Sequence, residues 1–135
     1  TDKGRGHIFH GEVNPKDGAA RGWHYEPSGD KAKGTQLIEA TLSPPDKHGV
    51  YEGNVVIEGV KKGDRSTFFP KNWTARQVEA AIEEAYTTRK PERRSGEFRG
   101  TTSSGMDITM RLDGKGKLES AYPIYEGPKY QGPKK

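Results

Sequence analysis

Residues 74–86 are the clearest amphipathic helix in this sequence, and they constrain the fold to one main helix among shorter elements. Thr74 and Gln77 have the spacing of a capping box, and Trp73 can pack on Val78 as a hydrophobic staple. Apolar side chains recur here at helical spacing and predict one buried stripe: Val78, Ala81, Ile82, Ala85 and Tyr86.

The rest of the chain predicts short strands, because 18 glycines and nine prolines interrupt any long periodic segment. Alternation predicts strands over 37–42, with Ile38, Ala40 and Leu42 on one face, and over 51–57, followed by an extended piece at 66–70. The last third predicts a β-meander of strands 97–101, 107–112 and 117–124. Its hairpin turn would be Asp113-Gly114.

These elements predict an α+β fold in which one helix packs on a twisted antiparallel sheet. We expect residues 1–34 to be loops with short strand or turn pieces, and residues 89–94 to be a basic loop. We divide the chain into a domain at 1–126 and a flexible basic tail at 127–135. Because it begins at Thr1 without an initiator methionine, we expect a fragment of a longer protein.

Composition limits the chemistry that this chain can carry. Only 29% of the residues are apolar, so the core must be small. The absence of cysteine excludes disulfides, zinc–cysteine sites and thiol nucleophiles, and no apolar run approaches the ~20 residues of a membrane span. A net charge of +4 fits a phosphate-bearing partner such as nucleic acid, and equally a solvated basic surface.

Histidines concentrate near the start of the chain, where three of the four occur within 24 residues. His7 and His24 are framed by glycine turns, and histidine is the side chain that exchanges protons near neutral pH. They are candidate acid and base groups, although a surface or packing role is the common one for a histidine. We expect His10 to point away from His7 on a strand, and His48 to be a solvated turn residue.

A metal site is an alternative for the same segment. Its ligands would be His7, His10 and His24 with Glu12 or Glu26. None of these spacings matches a known zinc motif.

Two further groups are candidates for binding. Ser120 and Tyr122 share one face of a predicted strand, where they either pack or hold a planar polar ligand by hydrogen bonding and stacking. Lys61, Lys62 and Arg65 form a basic turn, which is either solvated or places a cation beside a phosphate. RNA cleavage by its own 2′-hydroxyl needs a base, an acid and positive charge, so two histidines and one cation suffice.

Four segments resemble motifs of the bacterial EndoU endoribonucleases, in the same order and with compatible spacing. They are His7-Ile8-Phe9-His10-Gly11-Glu12, Gly22-Trp23-His24, Ser66-Thr67-Phe68-Phe69-Pro70-Lys71-Asn72-Trp73-Thr74 and Ser120-Ala121-Tyr122-Pro123-Ile124. The resemblance covers nearly the whole chain. It implies an EndoU nuclease fold, whose active-site layout is similar to that of ribonuclease A.

The resemblance also implies roles for individual residues. His24 would be the general base and His7 the general acid, although the family's assignment has been argued both ways. Ser120 and Tyr122 would complete the catalytic set beside the base and favour uracil. The products would be a 2′,3′-cyclic phosphate and a 5′-hydroxyl, with neither metal nor cofactor required.

The chain departs from the family in two places. Viral and animal members have a catalytic lysine before the helix, and here Lys62, Arg65 and Ser66 are the candidates for that phosphate-binding position. Bacterial members need not use a lysine at all. Ser120 stands where threonine is usual, which keeps the hydroxyl and loses a methyl contact.

Bacterial domains of this kind resemble the C-terminal toxins of large secreted effectors. The resemblance therefore implies delivery from a bacterial cell into the cytoplasm of a target cell, an RNA substrate that includes tRNA among its candidates, and a cognate immunity protein. Two alternatives stay open: an RNA-binding module that has lost catalysis, and a metal-dependent nuclease.

Overall fold

A computed structural model describes residues 2–128, with side chains from Gly4 onward. The elements in chain order are α1 (Asp2–Phe9), β1 (Glu12–Val13), β2 (Ala20–Arg21), β3 (Gln36–Leu37), β4 (Tyr51–Gly53), β5 (Val55–Ile57), β6 (Val60–Lys61), β7 (Ser66–Phe68), α2 (Ala75–Thr87), β8 (Lys90–Pro91), β9 (Glu97–Thr101), β10 (Asp107–Leu112) and β11 (Leu118–Pro123). Short 3-10 turns lie at Glu26–Ser28, Lys31–Lys33 and Glu39–Thr41.

The strands form antiparallel sheets, which confirms the predicted α+β class. The largest sheet has the order β11-β10-β9-β8, and the C-terminal meander is therefore as expected. Smaller sheets pair β3-β5-β6, β4-β7 and β1-β2. Within residues 2–128 no helix combines the length and the apolar character that crossing a bilayer requires.

Helix α2 begins and packs as its sequence predicts. Thr74 accepts the backbone N–H of Gln77 while the Gln77 side chain accepts that of Thr74, which completes the capping box. The helix lies directly on β9, where a Cβ at Gly100 would stand only 1.8 Å from the Ala85 carbonyl oxygen. Glycine at position 100 therefore permits the close approach of helix and sheet.

The larger core lies on one face of the four-stranded sheet. Ile108, Met110 and Leu112 alternate along β10 and are buried, as predicted, against the apolar stripe of α2 and the end of α1. The opposite face of the sheet carries the residues between them, of which Thr109 is buried and Arg111 is exposed. A second, smaller core surrounds Trp23, Ile57 and Phe68.

Several predicted elements differ from the structure. The interpretation of residues 1–34 as loops is wrong at α1, because Ile8 and Phe9 are buried in the main core and support a helix that Gly4 and Gly6 weaken. The strand predicted over 37–42 stops at Leu37 and turns into a 3-10 segment that leaves Leu42 exposed. Of the predicted tail, residues 129–135 lie outside the described residues.

Two other segments are divided differently from the prediction. Residues 51–57 form two strands, β4 and β5, that pair in different sheets. The basic loop after α2 contains the short edge strand β8, in which Lys90 pairs with Arg99 of β9.

Candidate active site

His7 lies in the last turn of α1 and is oriented by a carboxylate. Its Nδ1 is 2.9 Å from Glu12 Oε1, and the imidazole is 18% exposed. A carboxylate accepts the Nδ1 proton in both charge states of the ring, so Nε2 is left to exchange a proton with a ligand.

A left-handed turn brings His24 to the end of that helix. Gly22 and Trp23 have φ values of 85° and 68°. The Trp23 N–H donates to the His7 carbonyl at 2.8 Å, and the His24 N–H donates to the Ile8 carbonyl at 2.6 Å. A Cβ at Gly22 would stand 2.3 Å from the His7 carbonyl oxygen, so the approach of the two histidine segments requires glycine.

His24 is buried, and its tautomer follows from one contact. Its Nδ1 lies 2.8 Å from the Thr67 carbonyl oxygen, which can only accept, so Nδ1 carries the proton. Nε2 then holds the lone pair. Burial, together with the nearby charge of Lys62, holds the pKa of His24 well below its usual range, although the Thr67 contact opposes this shift. The ring is therefore a neutral base at physiological pH.

The two imidazoles and Tyr122 line one wall of a common site. The ring centroids of His7 and His24 are 6.2 Å apart. The Tyr122 ring lies 5.3 Å from that of His24 at an interplanar angle of 30°. Burial and the charge of Glu97 raise the pKa of Tyr122, so its hydroxyl stays protonated and can donate a hydrogen bond.

Ser120 and Tyr122 occur together as predicted, on the face of β11 opposite the core. Ser120 is 7% exposed, while its neighbour Ala121 points to the core face with no exposed surface. In the sheet, Ser120 pairs with Arg111 and Tyr122 pairs with Thr109.

Lys62 is the cation that reaches the histidines. Its Nζ donates to the Gly22 carbonyl and to Ser66 Oγ, each at 3.2 Å. Burial lowers the pKa of Lys62 to about 8, and the charge of Asp64 limits the shift. An ammonium group has three N–H donors, so two of them hold Lys62 in place and a third is left for a ligand.

The other two candidates for the phosphate-binding position have different surroundings. Ser66 has no exposed surface, and its Oγ donates to the Trp23 carbonyl at 2.6 Å. Ser66 is thus held within the protein in this structure, and a phosphate contact at Ser66 stays a prediction. Arg65 is among the residues that line the site, but its guanidinium is engaged elsewhere: Nη2 donates to Ser43 Oγ at 2.8 Å and Nε pairs with Glu52 at 3.3 Å.

These side chains line two adjoining clefts. The first, the Lys62 cleft, has a volume of about 500 Å³ and is lined by His7, His24, Lys62, Ser120 and Tyr122 among others. The second, the Arg111 cleft, has a volume of about 600 Å³. It shares His7, Ser120 and Tyr122 with the first and adds Arg94 and Arg111.

The remaining histidines lie outside these clefts. His10 is exposed at the end of α1. The expectation that His48 is solvated is wrong, since its side chain is only 13% exposed and its Nε2 lies 3.4 Å from Glu126. Glu26 accepts the Tyr51 hydroxyl at 2.6 Å instead of facing His7 or His24. Among the described residues, no three histidine or acidic side chains are grouped as metal ligands.

Sequence reasoning missed three parts of the site. The Thr67 carbonyl that sets the tautomer of His24 has no sequence signal, because every residue has a carbonyl. The sequence suggests Glu12 only as a metal ligand, although its place five residues after His7 allows the two side chains to pair. Trp23 has a left-handed φ, which is unusual for a residue with a large side chain. The sequence signal for a turn at this position is the preceding glycine, Gly22.

Comparison with known proteins agrees with the motifs. The sequence profile of the family described as bacterial EndoU nuclease matches residues 1–125. A protein of Bacillus cereus named "Toxin" is 38% identical over 120 residues, which are 87% of this chain and 21% of that protein. The chain thus spans about a fifth of that relative's length, and no solved structure matches it. With four family motifs in order and a match along nearly its whole length, this chain belongs to the bacterial EndoU nuclease family.

Proposed function

We propose that this nuclease is a metal-independent endoribonuclease that cleaves RNA by attack of a 2′-hydroxyl on the adjacent phosphorus. His24 Nε2 takes the proton of the 2′-hydroxyl, and the resulting oxygen forms a bond to phosphorus. The bond from phosphorus to the 5′-oxygen breaks, and His7 Nε2 gives that oxygen a proton. The products are a 2′,3′-cyclic phosphate and a 5′-hydroxyl.

The contact from His24 Nδ1 to the Thr67 carbonyl carries this proposal. It leaves Nε2 as an acceptor, and the lowered pKa of His24 keeps that acceptor available at neutral pH. A second imidazole lies 6.2 Å away between centroids, which leaves room for a phosphodiester between base and acid.

Lys62 supplies the positive charge. With a pKa of about 8 it is mainly protonated at neutral pH, and its third N–H can bind a phosphoryl oxygen as negative charge develops there. Ser66 acts through Lys62 and the Trp23 carbonyl as a positioning residue.

Ser120 and Tyr122 support a preference for uridine. They lie beside the proposed base, where the nucleoside that provides the 2′-hydroxyl must sit. The Tyr122 ring offers a stacking surface, and the Ser120 hydroxyl can both donate to and accept from a base edge.

The biological setting is also a proposal. The relative named "Toxin" supports the interpretation of this chain as the toxin segment of a longer effector, delivered from one bacterium into the cytoplasm of another. We expect a cognate immunity protein with an acidic surface to cover the cationic site. Single RNA species, tRNA included, are candidate targets.

Cleavage of total bacterial RNA in excess EDTA tests the mechanism. We expect the wild-type chain to leave 2′,3′-cyclic phosphate ends after uridines, and His24→Ala to lower the rate by about 10²–10⁴-fold, the usual contribution of a general base. His10→Ala is the matched control, because His10 is exposed outside the clefts, and it should cut like the wild type.

Other outcomes identify the alternatives. Cleavage that requires added metal would indicate a metal-dependent nuclease. RNA binding without cleavage by the wild-type chain would indicate a module that has lost catalysis. The band pattern on total RNA shows whether one species, such as a tRNA, is preferred.

A further inference from the structure

The Arg111 cleft lies along the face of the four-stranded sheet that is opposite the core. In the sheet register, Tyr122 of β11 pairs with Thr109 of β10, and Thr109 pairs with Arg99 of β9. The neighbouring row joins Ser120 to Arg111 and Arg111 to Glu97. Because directly paired residues share a face, the residues of both rows lie on the face opposite the core.

Two exposed arginines stand at the start of this surface. Arg94, in the turn before β9, and Arg111 line the Arg111 cleft together with His7, Ser120 and Tyr122. Both arginines are exposed, and both are close enough to Tyr122 to favour its charged form. Within residues 2–128, the ion pairs of arginine side chains are made by Arg5, Arg21, Arg65 and Arg99. Arg94 and Arg111 thus line the cleft, and in the described part of the chain neither side chain forms an ion pair.

The same cleft also contains carboxylates, and they limit what it can bind. Its acidic lining residues are Glu12, Glu97 and Glu119. Glu12 is engaged by His7. A balanced lining of arginines and glutamates does not attract a polyanion by net charge. It fits a single nucleotide, which presents donors and acceptors on its base and acceptors on its phosphate.

The positions of the two histidines give the bound strand a direction. His24 lines the Lys62 cleft, whereas His7 lines both clefts. The nucleoside that loses its 2′-hydroxyl proton must lie near His24. The 5′-oxygen that receives a proton must lie near His7, so the nucleotide that carries it extends toward Arg94 and Arg111.

We propose that the Arg111 cleft is the binding site for the nucleotide on the 3′ side of the cut, with Arg94 and Arg111 binding that nucleotide's own 3′-phosphate. This inference rests on the proposed function, because it takes His7 as the acid. Guanidinium groups suit this task, since each presents several N–H donors to phosphate oxygens.

Three small substrates isolate this contact. UpA has no phosphate beyond the leaving adenosine, UpAp adds one on its 3′ side, and pUpA adds one on the 5′ side of the uridine. We expect the wild-type chain to have a KM for UpAp lower than that for UpA by roughly tenfold, the gain of one charge-assisted hydrogen bond. Arg94→Gln/Arg111→Gln should remove this gain, while the ratio between pUpA and UpA stays as in the wild type.

Arg76→Gln is the matched control. Arg76 is an exposed arginine of α2, the helix that covers the opposite face of the sheet, and this variant should keep the full advantage of UpAp. A second measurement uses only the wild-type chain: the slope of log KM against log salt should be steeper for UpAp than for UpA by about 0.7, the value for one phosphate contact on a single strand.

Each outcome decides the inference. Equal KM values and equal salt slopes for UpA and UpAp in the wild type would overturn it and leave the proposed function intact. If the double variant lost the difference in KM between pUpA and UpA and kept that between UpAp and UpA, the strand would run in the opposite direction. That result would also overturn the inference. If the wild-type chain cut none of the three substrates while it cut uridine sites in total RNA, the cleft would not bind the leaving nucleotide as proposed. Failure to cut any RNA would overturn the proposed function first.

Discussion

At the scale of single residues, the chemistry of this site depends on contacts that alter ordinary side chains. A histidine becomes a neutral base because Thr67 accepts its Nδ1 proton and burial disfavours its charged form. A lysine becomes a titrating group near neutral pH for the same reason, since Lys62 is largely removed from water. The two groups are also linked, because the charge of Lys62 further lowers the pKa of His24.

Lys62 should set the alkaline limit of activity. Its pKa of about 8 means that it is charged below that pH and loses its charge as the pH rises through it. We expect kcat/KM to fall above about pH 8 and Lys62→Gln to lower kcat by about 10²-fold or more, the usual loss for a donor that stabilises a developing anion. The measurement is a pH profile of cleavage.

The neighbouring Lys61 is the control for this experiment. It is exposed and carries the same charge, so Lys61→Gln should keep both the rate and the alkaline limit. An alkaline limit that Lys62→Gln leaves in place would show that another group titrates there.

At the scale of elements, the site is built where two segments meet that sequence patterns describe poorly. Gly4 and Gly6 disfavour helix α1, and its stability comes from burying Ile8 and Phe9 in the core. The turn at Gly22 and Trp23 then holds His24 against the end of α1 by two backbone hydrogen bonds. The pairing of the histidines is therefore a property of packed elements.

Substitution of Gly22 should separate the histidines. A left-handed φ costs an ordinary residue about 1–2 kcal/mol, and in Gly22→Ala the added Cβ would also meet the His7 carbonyl at 2.3 Å. We therefore expect Gly22→Ala to lower the free energy of unfolding by more than this conformational cost, and to lower the rate of RNA cleavage. Urea denaturation and a cleavage assay measure the two effects.

Gly18→Ala is the matched comparison for this change. Gly18 has a similar φ of 70°, but a Cβ there would meet nothing within 4 Å. Gly18→Ala should therefore lose only the free energy that a left-handed φ costs an alanine, and it should cleave RNA at the wild-type rate. Equal effects of the two substitutions on stability and on cleavage would refute the argument from close approach.

At the scale of the whole molecule, buried titratable groups couple the site to global stability. The folded state lowers the pKa of His24 below 6.5, so the unfolded chain binds a proton first as the pH falls. Stability therefore decreases as the pH drops below about 6.5, and it stops decreasing once the folded protein is protonated too. Lys62 acts in a different window, between its folded value of about 8 and its unfolded value of 10.5.

Urea unfolding at several pH values between 7 and 5 measures this coupling. We expect His24 to contribute a fall of up to about 1.4 kcal/mol per pH unit, the limit for one proton. His24→Gln should flatten the fall, and His10→Gln should not, because His10 is exposed. If the unfolding free energy of both variants fell equally steeply with decreasing pH, groups other than His24 would cause the fall.

Much of the architecture could be predicted from local patterns. The capping box and stripe of α2, the alternation of β10 and the turn at Asp113 carry signals within a few residues. Predictions failed where tertiary contacts overrode those signals, as at α1, or where a strand changed partner, as at Asn54 between β4 and β5. Residues 37–42 failed for the same reason, since Leu37 is held by β5 while the chain turns at Glu39.

The sequence by itself determined the family and the fold class and supplied several candidate side chains of the site, because motifs, periodicity and residue types are local properties of the chain. Only the tertiary structure decided that Lys62 faces the histidines while Ser66 is buried and Arg65 is tied to Glu52. It also decided which nitrogen of His24 holds the lone pair. Charge state, tautomer and access to a ligand depend on burial and on partners distant in sequence, which no single segment specifies.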